Sequence, residues 1–167
     1  MTMAEVNALN RPEFVDRIGW VFEHSPWVAE GAWESRPFED PTALHLAMTR
    51  AMRRASAEKQ IALLRAHPNL GARARMSEAS VNEQAGAGLD HLRPDEFEEL
   101  HRLNSEYKRK FGFPFLFAVK RSTKHDILVA LRRRIALDKA AEFDEALTQV
   151  ERIARFRIED LIDGTIS

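Results

Sequence analysis

The chain has 167 residues, of which 44% are hydrophobic and 31% charged, with a formal net charge of −1. That length suits one domain, and the composition excludes a disordered chain. No apolar run approaches the ~18 residues of a membrane span. Cysteine is absent, which excludes a disulfide framework, a thiolate nucleophile and a thiolate metal site.

The periodicity is helical almost throughout. Asn10 is placed to cap a helix with Pro12 in its first turn and Phe14, Val15, Ile18, Val21 and Phe22 on one face. Pro26 in "HSPW" interrupts it, and a short apolar segment follows around Trp27, Val28 and Trp33. Asp40-Pro41 is a cap followed by a proline, opening a helix with Leu44, Met48, Ala51, Met52 and Ala55 on one side. Ser56 can cap the next, which carries Ile61, Leu63 and Leu64 to Ala66; Pro68 disfavours helical geometry at His67 and ends it. Residues 69–79 read as a loop, and a helix is expected from about Ser80 to Leu89. Pro94 opens a strongly periodic helix with Phe97, Leu100, Leu103, Tyr107 and Phe111 inward and Gly112 as its stop. "FPFLFAV" (113–119) is a continuous apolar run broken by Pro114, read as a buried extended connector. Thr123 and Asp126 form a capping pair for a helix carrying Ile127, Leu128, Leu131 and Ile135. The last helix runs from about Ala140 to Ile162, with Gly164 beyond it. Repeats and low-complexity tracts are absent. The expectation is an all-α fold, one domain of seven or eight helices.

Charge is unevenly spread. Residues 101–134 hold ten Lys/Arg (Arg102, Lys108, Arg109, Lys110, Lys120, Arg121, Lys124, Arg132, Arg133, Arg134) against Glu106 and Asp126. Such a stretch can attract anions or nucleic acid, but a solvated helix surface is the simpler reading. The six histidines (24, 45, 67, 91, 101, 125) form no close pair of metal ligands, and Glu98-x-x-His101 is a single copy of a motif that di-iron bundles need twice. "GAG" (86–88) has neither a preceding strand nor a P-loop lysine, so Gly86 and Gly88 are read as allowing close helix packing.

Three features point to chemistry. His67 can give or take a proton near neutrality, its ordinary pKa being about 6.5. In "SVNEQAGAGL" (80–89), Ser80, Glu83 and Gln84 share one helix face and offer a hydroxyl, a carboxylate and an amide. A capping box explains Ser80 and Glu83 but not Gln84. On the last helix, Phe143, Leu147, Val150, Ala154 and Leu161 form an apolar stripe, and Arg157 falls on it. An inward guanidinium needs a partner. It can snorkel to the helix end, or it can meet Glu83 or an anionic or carbonyl-rich ligand that suits its forked donors.

The segments "EHSPWVAE" (23–30), "AHPNLG" (66–71), "SVNEQAGAGL" (80–89), "LNSEYKRKFGFPFLFAVK" (103–120) and "RIARFRIEDL" (152–161) follow one another in this order. In that arrangement the chain, over about residues 10–162, resembles the family of OHCU (2-oxo-4-hydroxy-4-carboxy-5-ureidoimidazoline) decarboxylase, an enzyme of uric acid degradation. The resemblance implies an all-α homodimer that converts OHCU to (S)-allantoin without a cofactor or a metal. It implies that His67 and Glu83 are catalytic. It also implies that Pro68, Ser80, Gln84, Phe115, Phe117, Ala118, Val119 and Arg157 bind substrate, the connector through its backbone. Three positions depart from the family pattern: the loop before Ser80 is short, Arg121 stands where a glycine is frequent, and Asp138 where an asparagine is. The rival reading is a helical anion- or nucleic-acid-binding module that uses the basic 101–134 stretch. "MTMAEVNALNRPEF" lacks the features of a signal peptide and "GTIS" does not match the peroxisomal ending, so the cytoplasm is the expected compartment, with no membrane or nucleic-acid partner.

Overall fold

Local capping chemistry sets most of the helix boundaries. A computed structural model describes residues 1–71 and 78–162, and the side chains of all of these except 78–80. Among the described residues there are nine α-helices and no strand. They are α1 (Met3–Ala8), α2 (Arg11–Ile18), α3 (Trp27–Ala32), α4 (Pro41–Arg54), α5 (Ala57–Arg65), α6 (Glu78–Gly86), α7 (Pro94–Phe111), α8 (Lys124–Arg134) and α9 (Lys139–Leu161). The all-α expectation holds. The count exceeds the expected seven or eight partly because Thr2 and Glu5 make a capping box that supports α1, a six-residue helix without a long apolar stripe to announce it.

The other caps follow the sequence signals. Asn10 and Glu13 bond reciprocally at the start of α2. The Asp40 side chain accepts from Ala43 N–H, Ser56 Oγ from Lys59 N–H, and Thr123 pairs with Asp126. Gly112 ends α7 in the left-handed region at φ 82°, where a Cβ is disfavoured. Asp138 accepts from Ala141 N–H at 2.8 Å. Aspartate caps as well as asparagine does, so this departure from the family pattern leaves the entry to α9 physically equivalent. Arg121 sits at φ 66°, in the conformation a glycine adopts freely.

One expectation is corrected. Among the described residues, a Cβ added at Gly86 or Gly88 would meet nothing within 4 Å, so neither glycine packs closely against them. Gly88 instead has φ +83°, and Leu89 N–H bonds back to Gln84 O at 3.0 Å. It stops α6 earlier than the expected Leu89. The part of the 69–79 loop at 72–77, and Gly164, lie outside the described residues.

The chain divides into two compact units, residues 1–63 with 151–167, and residues 64–150. In the first, α3 packs on α2 and α4, and the core includes Phe14, Ile18, Phe22, Val28, Leu44, Met48 and Met52, all essentially fully buried. In the second, α7 and α8 pack together. There Leu100, Tyr107, Phe115, Ile127, Leu131 and Leu147 are buried, and Tyr107 meets Phe115 edge-on at 5.4 Å between ring centroids.

Candidate functional site

In the unit of residues 64–150, the end of α5 sets the position of His67. The helix stops at Arg65, and His67 N–H bonds to Leu64 O at 3.3 Å. His67 is 7% exposed. Pro68 follows it, half-buried. Two amides then fasten the chain just beyond. Asn104 of α7, itself buried, donates Nδ2–H to Leu70 O at 3.0 Å. Gln84 of α6, also buried, accepts Gly71 N–H on Oε1 at 2.9 Å. Gly71 is at φ +74°, and a Cβ there would come within 2.7 Å of Leu100 Cδ2. The loop that carries His67 is therefore tied to α6 and α7.

Glu83 lies half-buried one residue before Gln84 on α6. The Ser80 side chain lies outside the described residues. The structure thus brings Gln84 to the His67 loop. A cavity of about 670 Å³ in the same unit includes Gly71, Gln84, Leu89, Phe97 and Glu98 in its wall.

The connector is buried as expected, with Phe115, Ala118 and Val119 at 0%, 3% and 6% exposure and Phe117 half-buried. Three of its backbone groups are held within this unit. Ala118 N–H donates to Gln149 Oε1 at 2.9 Å, Arg134 donates to Leu116 O, and Ser122 N–H donates to Val119 O. Among the described residues, the N–H groups of Phe115, Leu116, Phe117 and Val119 have no partner. Buried main-chain donors are rarely left so. They are available donors for a polar, carbonyl-rich molecule.

In the other unit, Arg157 of α9 is 3% exposed, so the inward placement read from the stripe is correct. Glu23 meets it, at 3.0 Å between Nη1 and Oε2. Arg157 Nη1 also donates to Trp20 O at 3.3 Å. Glu23 is a partner that the sequence reading did not name. Glu23 directly follows buried Phe22 and precedes His24, whose φ of 47° lies in the left-handed region. Ser25 Oγ closes the turn on Glu23 O at 2.9 Å. The only hint in the sequence was the phrase "EHSPW" itself.

Most of the Lys and Arg residues of the basic 101–134 stretch are exposed, as a solvated surface would be, with Arg134 the buried exception. Lys124 pairs with Glu96, Arg132 with Glu99 and Arg102 with Glu106. Lys110 donates to Ile135 O and Leu137 O. Arg134 is not on the surface at all, being 1% exposed. His101 is exposed on α7 beside Phe97, and among the described residues no group of three or more metal-ligating acids and histidines occurs.

A family model described as OHCU decarboxylase matches residues 7–159. The chain belongs to the OHCU decarboxylase family. It is 47% identical to a 2-oxo-4-hydroxy-4-carboxy-5-ureidoimidazoline decarboxylase of Haloferax volcanii, over 96% of this chain and 95% of that one. It is 44% identical to a uric acid degradation bifunctional protein of Bacillus subtilis, covering 96% of this chain but 33% of the longer one. Among solved structures, it resembles a crystal structure of (S)-allantoin synthase with TM-score 0.81 and 30% identity. That match covers 98% of this chain, which spans about half, 55%, of the other. A crystal structure of OHCU decarboxylase in the presence of (S)-allantoin shares the fold, with TM-score 0.70 and 24% identity over 84% of this chain and 94% of that one.

Proposed function

We propose that the chain catalyses the loss of CO2 from OHCU to give (S)-allantoin, a step of uric acid degradation, without a cofactor. We further propose that residues 1–167 act as one domain, in the cytoplasm and as a homodimer. The observation that carries the activity is 47% identity to a decarboxylase of that name over nearly the whole of both chains.

The chemistry needs no added electron sink. The bond from the ring carbon to the carboxylate breaks, CO2 leaves, and the electron pair moves toward the neighbouring C=N. The nitrogen of that C=N takes one proton, the hydroxyl on the carbon that lost CO2 gives up its proton to become the ring carbonyl, and a further proton is delivered to the carbon bearing the ureido group. The protein has to orient the carboxylate, stabilise the developing charge and protonate one face only. His67 is the acid/base for these proton transfers. Glu83 assists by accepting the hydroxyl or ureido protons. Ser80 and Gln84 hold polar groups of the substrate, and Pro68 fixes how the imidazole leaves α5. The N–H groups around Phe115, Phe117, Ala118 and Val119 bond the flat heterocycle, except where Gln149 already takes Ala118 N–H. Arg157 offers its fork to the anionic or carbonyl end.

OHCU decays unaided, so the test is rate and handedness. OHCU generated in situ should give optically active allantoin faster than the uncatalysed decay. Racemic product at the unaided rate refutes the function. His67→Asn should lower kcat by about two to four orders of magnitude, the range of general acid–base catalysis, with the folding transition unchanged; near-normal turnover removes His67 from the mechanism. Sedimentation of the purified chain tests the homodimer.

A further inference from the structure

Within the unit of residues 64–150, one carboxylate gathers three donors. Glu142 of α9 is 0% exposed. Its Oε1 accepts the Tyr107 hydroxyl from α7, and Nε and Nη2 of Arg134 from α8, the Nε contact at 2.9 Å. The remaining guanidinium nitrogen, Nη1, donates to Leu116 O of the connector. The face of the same guanidinium lies over the Phe115 ring, 4.5 Å from its centroid. Tyr107 packs edge-on against both Phe113 and Phe115. Every member of the cluster touches the connector or a group that does.

Stability alone is a poor reason for this cluster. Removing a carboxylate and a guanidinium from water costs several kcal/mol per ion, and such pairs are often replaced by apolar side chains without loss. Here the cost is not even fully offset, because Glu142 Oε2 is buried with no hydrogen-bond partner among the described residues. The arrangement does supply direction. Arg134 can meet Glu142 through one edge and Leu116 O through its other nitrogen only if the guanidinium plane is fixed, and Tyr107 and Glu142 fix it. With Gln149 holding Ala118 N–H two residues on, the connector is held at alternate positions.

We propose that Tyr107, Glu142 and Arg134 are positioning residues for substrate: they set the connector so that its N–H donors at Phe115, Phe117 and Val119, which alternate along it onto one side, point at the heterocycle. This rests on the reading of the connector as part of the OHCU site. The fixed part is the peptide of Leu116, because a carbonyl pinned by a rigid planar donor also fixes the adjoining Phe117 N–H. None of the three side chains touches the reacting atoms in this scheme. Their effect is on binding geometry, and so on KM before kcat.

The test uses Arg134→Lys and Tyr107→Phe in the full chain. Lysine keeps a charge for Glu142 but has no fork to reach Leu116 O as well. Phenylalanine keeps the ring packing and removes one donor. The wild-type protein is first shown to turn over OHCU; if it does not, the functional reading fails at that point, and this role fails with it. With an active wild type, Arg134→Lys is expected to raise KM for OHCU, and Kd for (S)-allantoin, by about tenfold or more with kcat reduced less than threefold. Amide exchange at residues 115–119 should accelerate in both variants. Tyr107→Phe should shift KM in the same direction by a smaller factor. An unchanged KM with unchanged connector exchange in a folded Arg134→Lys overturns the proposal. So does a loss confined to folded fraction and kcat, which is what a purely structural role predicts. Should Arg134→Lys not fold, Tyr107→Phe decides by the same two readouts.

Discussion

Glu23→Ala removes the carboxylate that meets Arg157. The two side chains are 1% and 4% exposed, and the pair is 3.0 Å long. Taking away one member of a buried ion pair costs about 3–5 kcal/mol, because the other charge is left in the interior. Trp20 O stays as an acceptor for the same Nη1 at 3.3 Å, so the lower end is expected, about 3 kcal/mol. In a chain of this size each kcal/mol moves the thermal midpoint by about 2–4 °C, so the midpoint should fall by about 6–12 °C. Circular dichroism during heating at neutral pH reads this directly. The loss should be nearly the same at low salt and at ~0.5 M salt, since a buried pair is little screened. Glu23→Gln retains an acceptor and should lose less than alanine does. Adding Arg157→Met to Glu23→Ala should recover part of the loss, because the stranded charge leaves with it. A midpoint unchanged by Glu23→Ala, or a loss that disappears in salt, would show that the pair does not hold a buried charge.

Tyr107 is the chain's only tyrosine, so the absorbance of phenolate reports on it alone. Burial first, then the hydrogen bond to Glu142, push its pKa well above the ordinary value of 10.0. The folded protein should show no phenolate signal through the usual tyrosine range, and stability should fall as pH rises above about 10, where only the unfolded chain releases that proton; an ordinary titration of the folded protein refutes the buried cluster. At the acid end, the hydrogen bond from Lys124 holds Glu96 below its ordinary 4.5, and the Thr123 N–H holds Asp126 below 3.8. Their contribution is present above those values and is lost as pH falls through the folded ones, so Asp126→Asn should give a shallower fall of the urea midpoint on acidification than wild type. Gly71→Ala places a Cβ at φ +74° and 2.7 Å from Leu100 Cδ2, and should cost about 1–2 kcal/mol in urea unfolding from the left-handed conformation alone. A neutral Gly71→Ala would mean that the His67 loop is not held as described.

Sequence and tertiary structure divide along a physical line. Helix boundaries were legible because a cap is a local event. Asn10 with Glu13, Asp40 before Pro41, Thr123 with Asp126, and Gly112 after Phe111 each satisfy or release backbone groups within a few residues. Periodicity was legible for the same reason and placed Arg157 inward. The identical signal, Arg134 three residues beyond Leu131 on the α8 stripe, was lost among the charges of the basic 101–134 stretch. The motif phrases carried the family. Partners were not legible in the sequence. That Arg157 meets Glu23, that Arg134 meets Glu142 and the carbonyl of Leu116, and that Gln84 takes the N–H of Gly71 all depend on which distant segments fold against each other. A buried charge must find a counter-charge or a carbonyl, but desolvation sets only that requirement. Which group meets it was decided by the packing of the helices.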